Sequence, residues 1–101
     1  TEDTTFPDGD FRNFYFRDDR KKQVADRVQR IATDIGLTDT SHVPELAMRF
    51  CLSHPAVSTV IPGMRSLASV EANVMASGQG PLPAKTMEIL HGHAWDRNFY
   101  L

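Results

Sequence analysis

The stretch "AVSTVIPGMRS", residues 56–66, decides how the rest of this chain is interpreted. Its first half is rich in residues that favour β-strands, namely Val57, Thr59, Val60 and Ile61. Pro62 and Gly63 then form a turn signal that ends the strand sharply. Because apolar and polar residues do not alternate cleanly, the pattern predicts a strand near 57–62 that is buried on both faces.

Helices are predicted for most of the remaining chain. Apolar residues spaced four, three and four apart predict a helix over 20–36, ended by Gly36. A second helix is predicted from Pro44 to the residues before Pro55, with Thr40 or Ser41 as its cap. Two more are predicted over 67–76 and from residue 83 or 84 onward, whereas residues 1–19 are expected to be irregular.

A single strand poses a problem, because a buried strand must pair its backbone groups on both sides. The order helix, strand, helix is typical of a parallel sheet with crossover helices. The sequence therefore predicts a mostly helical part of a larger α/β protein, with the neighbours of its one strand supplied from outside the chain.

The residues that follow the strand are suited to binding an anion. Ligands of parallel α/β proteins gather at the carboxyl ends of strands, and Gly63 lies at such an end. Ser66 is a candidate N-cap of the next helix, whose free N–H groups and dipole attract negative charge. Arg65 adds a guanidinium suited to phosphate. A structural turn with a solvated arginine is the alternative.

The bulk composition limits the other functions. The chain has 101 residues and a formal net charge of −2, which allows one domain and argues against a broad nucleic-acid surface. The aromatic and arginine-rich run "FRNFYFR" is flanked by carboxylates that largely cancel its charge. No apolar run reaches membrane-spanning length, and His91 and His93 lack partners for a metal site. Membrane, nucleic-acid and metal partners are therefore not expected.

The single cysteine and the first ten residues bear on the compartment. Cys51 has no partner for an internal disulfide, and its apolar neighbours predict a small buried side chain. The acidic and polar start "TEDTTFPDGD" is not typical of a signal peptide. A cytoplasmic location is expected.

Four segments of the chain, spread over most of its length, resemble a known family. The run "PELAMRFCLSHPAVSTVIPG" looks like a helix and the eighth strand of an aldo-keto reductase, and "SVEANV" looks like the start of the closing helix. "FPDGDFRN" is similar to the loop after the seventh strand, and "HAWDRNFY" to the tail of some bacterial members. The resemblance implies the C-terminal part of a (β/α)8 TIM barrel, with 1–19 as a loop on the cofactor side.

The resemblance also implies a cofactor site. In this family the backbone of Gly63 and Met64 would line the adenosine 2′-phosphate site of NADP(H), and Arg65 would pair with the phosphate. Ser69 falls where many relatives place glutamine or arginine against the adenine nucleotide. Asn73 would hydrogen-bond the amino edge of adenine.

The Asp, Tyr, Lys and His tetrad of the family comes from the first half of the barrel, and its motifs do not occur here. No catalytic residue is therefore assigned. The implied function is the C-terminal part of an NADP-dependent carbonyl reductase, with the remainder of the barrel and a small carbonyl substrate as partners. The alternative is an independent helical module that binds a protein and has no enzymatic activity.

Overall fold

The computed structural model describes residues 1–101 and contains five helices and no strand. The helices are α1 (Phe11–Tyr15), α2 (Arg20–Ile35), α3 (Val43–Leu52), α4 (Leu67–Gly78) and α5 (Ala84–Gly92). The prediction of a mostly helical chain is confirmed. None of these helices has both the length and the apolar character needed to cross a membrane.

The longest helix, α2, follows the predicted pattern closely. Its apolar stripe faces the rest of the molecule, and Ala32 on that side is fully buried. Gly36 ends it in the left-handed region, with φ of 85°, where its N–H donates to the carbonyls of Ala32 and Thr33. Glycine occupies this conformation without the strain that a Cβ would bring.

Two helix starts differ from the prediction. Residues 1–19 are not wholly irregular, because the side chain of Asp10 accepts the N–H of Arg12 at 2.9 Å and so starts α1. Neither predicted cap of α3 is used, and the helix begins after His42 without a side-chain cap. The N–H of Ser41 instead donates to Asp39 at 2.7 Å, which closes a turn before the helix.

The strand predicted near 57–62 is wrong for this structure. No backbone group of residues 58–65 makes a hydrogen bond with another backbone group, because no second strand lies beside the segment. Burial on both faces is also wrong. Val60 and Pro62 are half-buried against α3 and α4, whereas Thr59 and Ile61 are exposed, Ile61 to 97%.

The core is small for a chain of this length. The apolar residues that are buried are Ala32, Ala76, Leu82 and Phe99. The accessible surface is 7517 Å², compared with about 5,700 Å² for a compact protein of this mass. Cys51 is exposed, so the prediction of a buried thiol is wrong. It shares the outer face of α3 with Ala47, and nothing covers that face.

Helices α3 and α4 pack together and are joined at one end by a polar clamp. The guanidinium of Arg49 donates to the carbonyl of Gly80 at 3.1 Å and to the side chain of Gln79 at 3.2 Å. The hydroxyl of Ser53 accepts the N–H of Leu82 at 2.9 Å. The loop after α4 is therefore tied to α3.

The two ends of the chain meet in an aromatic cluster, defined here as Phe6, Phe11, Tyr15, Phe16, Trp95, Phe99 and Tyr100. Arg20, at the start of α2, is buried within it and donates to the carbonyl of Phe99 at 2.7 Å. Its guanidinium also lies 5.4 Å from the ring centroid of Phe99. Burial, followed by the positive charge of Arg17 and Arg97, lowers the pKa of Arg20.

Replacing Arg20 with alanine should release the C-terminal tail. The Phe99 carbonyl would lose its donor, and an unsatisfied buried group costs about 1–3 kcal/mol. Trp95, the only tryptophan, packs edge to face against Phe99 with ring centroids 5.5 Å apart, so its fluorescence should shift to the red when the tail is released. Arg30→Ala on the exposed side of α2 is the matched control. Equal shifts in both variants would contradict the proposed role of Arg20.

The ion pair that starts α1 should give a pH-dependent contribution to stability. Arg12 binds Asp10 through two guanidinium nitrogens at 2.9 and 2.7 Å, which lowers the pKa of Asp10 to about 2. A lowered carboxyl pKa stabilises the folded state at pH values above the ordinary pKa of an aspartate. This contribution to the free energy of unfolding is lost as the pH falls toward the folded-state pKa of about 2. An NMR titration of the Asp10 carboxyl should show this midpoint, and Arg12→Gln should raise it. An unchanged midpoint in Arg12→Gln would refute the assignment.

Candidate functional site

The start of α4 is built by a serine cap. Ser66 has an extended backbone, with φ of −134° and ψ of 157°, and its hydroxyl accepts the N–H of Ser69 at 3.1 Å. This confirms Ser66 as the N-cap. The N–H groups of Leu67 and Ala68 lie in the first turn of the helix and make no hydrogen bond to a backbone carbonyl. They are therefore available as donors at the positive end of the helix dipole.

The turn before this cap presents a free cation. The Arg65 side chain is exposed and makes no hydrogen bond or ion pair with any other residue. Met64 beside it is 54% exposed. A Cβ built on Gly63 would meet no atom within 4 Å, so open space lies on that side of the turn. The turn is therefore accessible to a ligand.

Asn73 fastens the turn to the helix. Its side-chain Nδ2 donates to the carbonyl of Gly63 at 3.1 Å, ten residues earlier in the chain. One of the two Nδ2 hydrogens is thus used, while the other hydrogen and Oδ1 have no partner within the chain. This contact holds the exit of the 58–65 segment against the second turn of α4.

Ser69 is committed to the local cap. Its hydroxyl lies 2.9 Å from the hydroxyl of Ser66, in addition to the bond from its own N–H to that atom. The side chain is half-buried at this position. Among the five predicted cofactor residues, two have side-chain polar groups with partners inside the chain. These are Ser69, which pairs with Ser66, and Asn73, which pairs with Gly63.

A small cavity lies beneath the turn, between the 58–65 segment and helices α3 and α4. It has a volume of about 230 Å³, and its apolar walls include Leu52, Val60 and Val74. Met64 and Asn73 lie at the same cavity. Of the five predicted residues, Met64 and Asn73 therefore line this cavity, whereas Gly63, Arg65 and Ser69 do not.

One neighbour of this site was not predicted from the sequence. The positive charge of Arg65 contributes, as a minor cause after Arg12, to the low pKa of Asp10. The 1–19 segment thus lies within electrostatic range of the turn. Fifty-five residues separate Asp10 from Arg65, and no local pattern in the sequence relates two positions so far apart.

The comparison with protein families identifies what the chain is similar to. Residues 5–94 match the Aldo/keto reductase family. The chain belongs to this family. No curated protein and no solved structure matches it in the corresponding searches. The match spans helices α1 to α5 and the whole candidate site, whereas Trp95, Phe99 and Tyr100 of the aromatic cluster lie beyond it.

Membership of the aldo/keto reductase family bears on the fold and on the class of the parent protein. The family implies a TIM barrel and an oxidoreductase parent, and the helical chain is consistent with the C-terminal part of such a barrel. No group of three or more histidine, cysteine or carboxylate side chains is placed to hold a metal ion.

Removing the cap hydroxyl should loosen the start of α4. Ser66→Ala would leave the N–H of Ser69 without its acceptor and cost about 1 kcal/mol. Amide hydrogen exchange should accelerate in the first turn of α4 and stay unchanged in α2. Ser77→Ala, in the exposed last turn of α4, is the control and should have little effect. Equal protection in both variants would show that the cap does not stabilise the helix.

Proposed function

We propose that this chain is the C-terminal portion of an NADP-dependent aldo/keto reductase and supplies the adenosine 2′-phosphate side of the NADP(H) site. The observation that carries the proposal is Arg65, an exposed guanidinium without an intramolecular partner, immediately before a capped helix in a member of this family. The residues proposed for the cofactor are Gly63, Met64, Arg65, Ser69 and Asn73.

The charge arrangement supports phosphate as the group bound at the turn. A helix N-terminus offers N–H donors and the positive end of its dipole, and an arginine adds a fork of donors with full charge. Leu67 and Ala68 provide the backbone donors, while Arg65 provides the cation. Gly63 leaves space for close approach. A 2′-phosphate, which NADPH has and NADH lacks, fits this set of donors.

The amide of Asn73 supports adenine as the neighbouring group. One Nδ2 hydrogen is bonded to Gly63, which leaves Oδ1, a hydrogen-bond acceptor, and the second Nδ2 hydrogen available to a ligand. The amino group of adenine is a donor and therefore matches this acceptor. Ser69 can add a contact only by giving up its hydroxyl pairing with Ser66.

The surface of the chain supports the idea that the remainder of a barrel covers it. The 58–65 segment has unpaired backbone groups, and Ile61, Leu67 and Val74 are largely exposed. A parallel sheet would pair that backbone and bury those side chains. The small core weighs against the alternative of an independent interaction module, which would need to bury its own apolar residues.

The chemistry of the reaction is proposed to lie outside this chain. Bound NADPH would supply hydride to a small carbonyl substrate. None of the residues described here is assigned a catalytic role, so the chain's part is to hold and orient the nucleotide. The catalytic tetrad would belong to the preceding part of the barrel.

A charge reversal at Arg65 tests the proposal in the parent enzyme. An arginine–phosphate contact is worth roughly 1.5–3 kcal/mol, so Arg65→Glu should weaken NADPH binding by about tenfold or more. NADH binding should change little, because NADH lacks the 2′-phosphate. Dissociation constants for both cofactors, measured by fluorescence titration, give the comparison.

Arg30→Glu is the matched control, because it makes the same charge change on the exposed side of α2. It should leave both dissociation constants nearly unchanged. If Arg65→Glu weakened NADPH and NADH equally, Arg65 would not recognise the 2′-phosphate, and the proposed cofactor preference would be wrong.

A further inference from the structure

The turn that carries Arg65 is held on both sides by side-chain hydrogen bonds to α4. After Arg65, the hydroxyl of Ser66 accepts the N–H of Ser69 at 3.1 Å. Before Arg65, the carbonyl of Gly63 accepts a hydrogen bond from Nδ2 of Asn73 at 3.1 Å. The backbone of Arg65 is therefore fixed relative to the helix by two separate contacts.

The Gly63 carbonyl is the point at which residues 58–65 are hydrogen-bonded to the rest of the chain. No backbone group of this segment is bonded to another backbone group, and the one other hydrogen bond it contains lies within the segment. A neighbouring strand of a barrel could pair residues 57–61, but Pro62 has no N–H and would end that ladder. The bond from Asn73 is therefore the contact that fixes the near side of the turn, with or without a neighbouring strand.

This bond separates two roles that one amide can have toward the cofactor. Adenine is common to NADPH and NADH, so a contact between Asn73 and adenine would strengthen the binding of both. The 2′-phosphate is present only in NADPH, and the proposed partner of that phosphate is Arg65. A residue that fixes the backbone of Arg65 would therefore strengthen the binding of NADPH alone, because a preorganised group loses less conformational freedom when its ligand binds.

We propose that Asn73 is a positioning residue for the 2′-phosphate and thereby contributes to the preference for NADPH over NADH. It acts through the Gly63 carbonyl, which orients the backbone of Arg65, and it does so in addition to any contact with adenine. The inference rests on the proposed function, because it assumes that Arg65 binds the phosphate. It assigns the cofactor preference to a residue that does not itself touch the phosphate.

A double-mutant cycle in the parent enzyme tests this role. Asn73→Leu removes the amide at similar size, and the dissociation constant of NADPH should rise by about fivefold more than that of NADH. In an Arg65→Ala background, Asn73→Leu should weaken both cofactors by the same factor, because no guanidinium remains to be positioned. Asn98→Leu, the same substitution in the exposed tail, is the control and should leave the ratio of the two constants unchanged.

Nitrogen-15 relaxation tests the same contact without any cofactor. The backbone order parameter of Arg65 should fall in Asn73→Leu, while those of α2 stay unchanged. An unchanged order parameter at Arg65 would overturn the inference, and so would an excess loss of NADPH binding that persists in the Arg65→Ala background.

The cofactor titrations separate failure of this inference from failure of the proposed function. If Arg65→Glu weakens NADPH selectively but Asn73→Leu weakens both cofactors equally, the positioning role of Asn73 is wrong and the proposed function stands. If Arg65→Glu itself weakens both cofactors equally, the proposed function is wrong and the inference falls with it.

Discussion

Arg20 holds together parts of the chain that lie 79 residues apart. Its buried guanidinium donates to the Phe99 carbonyl and lies against the ring of the same residue. A buried cation needs such partners, because desolvation without compensation is costly. Around it the aromatic side chains of the first and last segments pack together, mostly edge to face, with Phe11 and Tyr100 stacked. The position of the tail, and with it the closure of the whole molecule, depends on this contact.

In one region of the molecule the polar groups and large side chains find partners within the chain, and in another region they do not. Around Arg20 and α2 the polar groups and aromatic rings find partners within the chain. Around the 58–65 segment the backbone is unpaired and large apolar side chains such as Ile61 face solvent. The turn that precedes α4 lies at the border of these regions, where Asn73 and Ser66 fix it locally without covering it.

The sequence predicted the features that depend on local chemistry. Gly36 ends a helix and Ser66 caps one, because both effects need only neighbouring residues. The prediction of a strand over 57–62 was wrong for this structure, because a strand needs a second strand beside it and the chain does not supply one. Within the candidate site, the clustering at the start of α4 followed from residue spacing. The approach of Asp10 to Arg65 did not, because only the three-dimensional fold brings distant segments together.

The clamp between α3 and the loop after α4 has a consequence for the order of folding. Arg49 reaches Gly80 across 31 residues, whereas Arg20 reaches Phe99 across 79. The entropic cost of closing a chain segment grows with its length, so the shorter closure is easier to form. We expect α3 and α4, with the 58–65 segment between them, to assemble first and the aromatic tail to dock afterwards. The proposed phosphate-binding turn would then be shaped before the two ends of the chain meet.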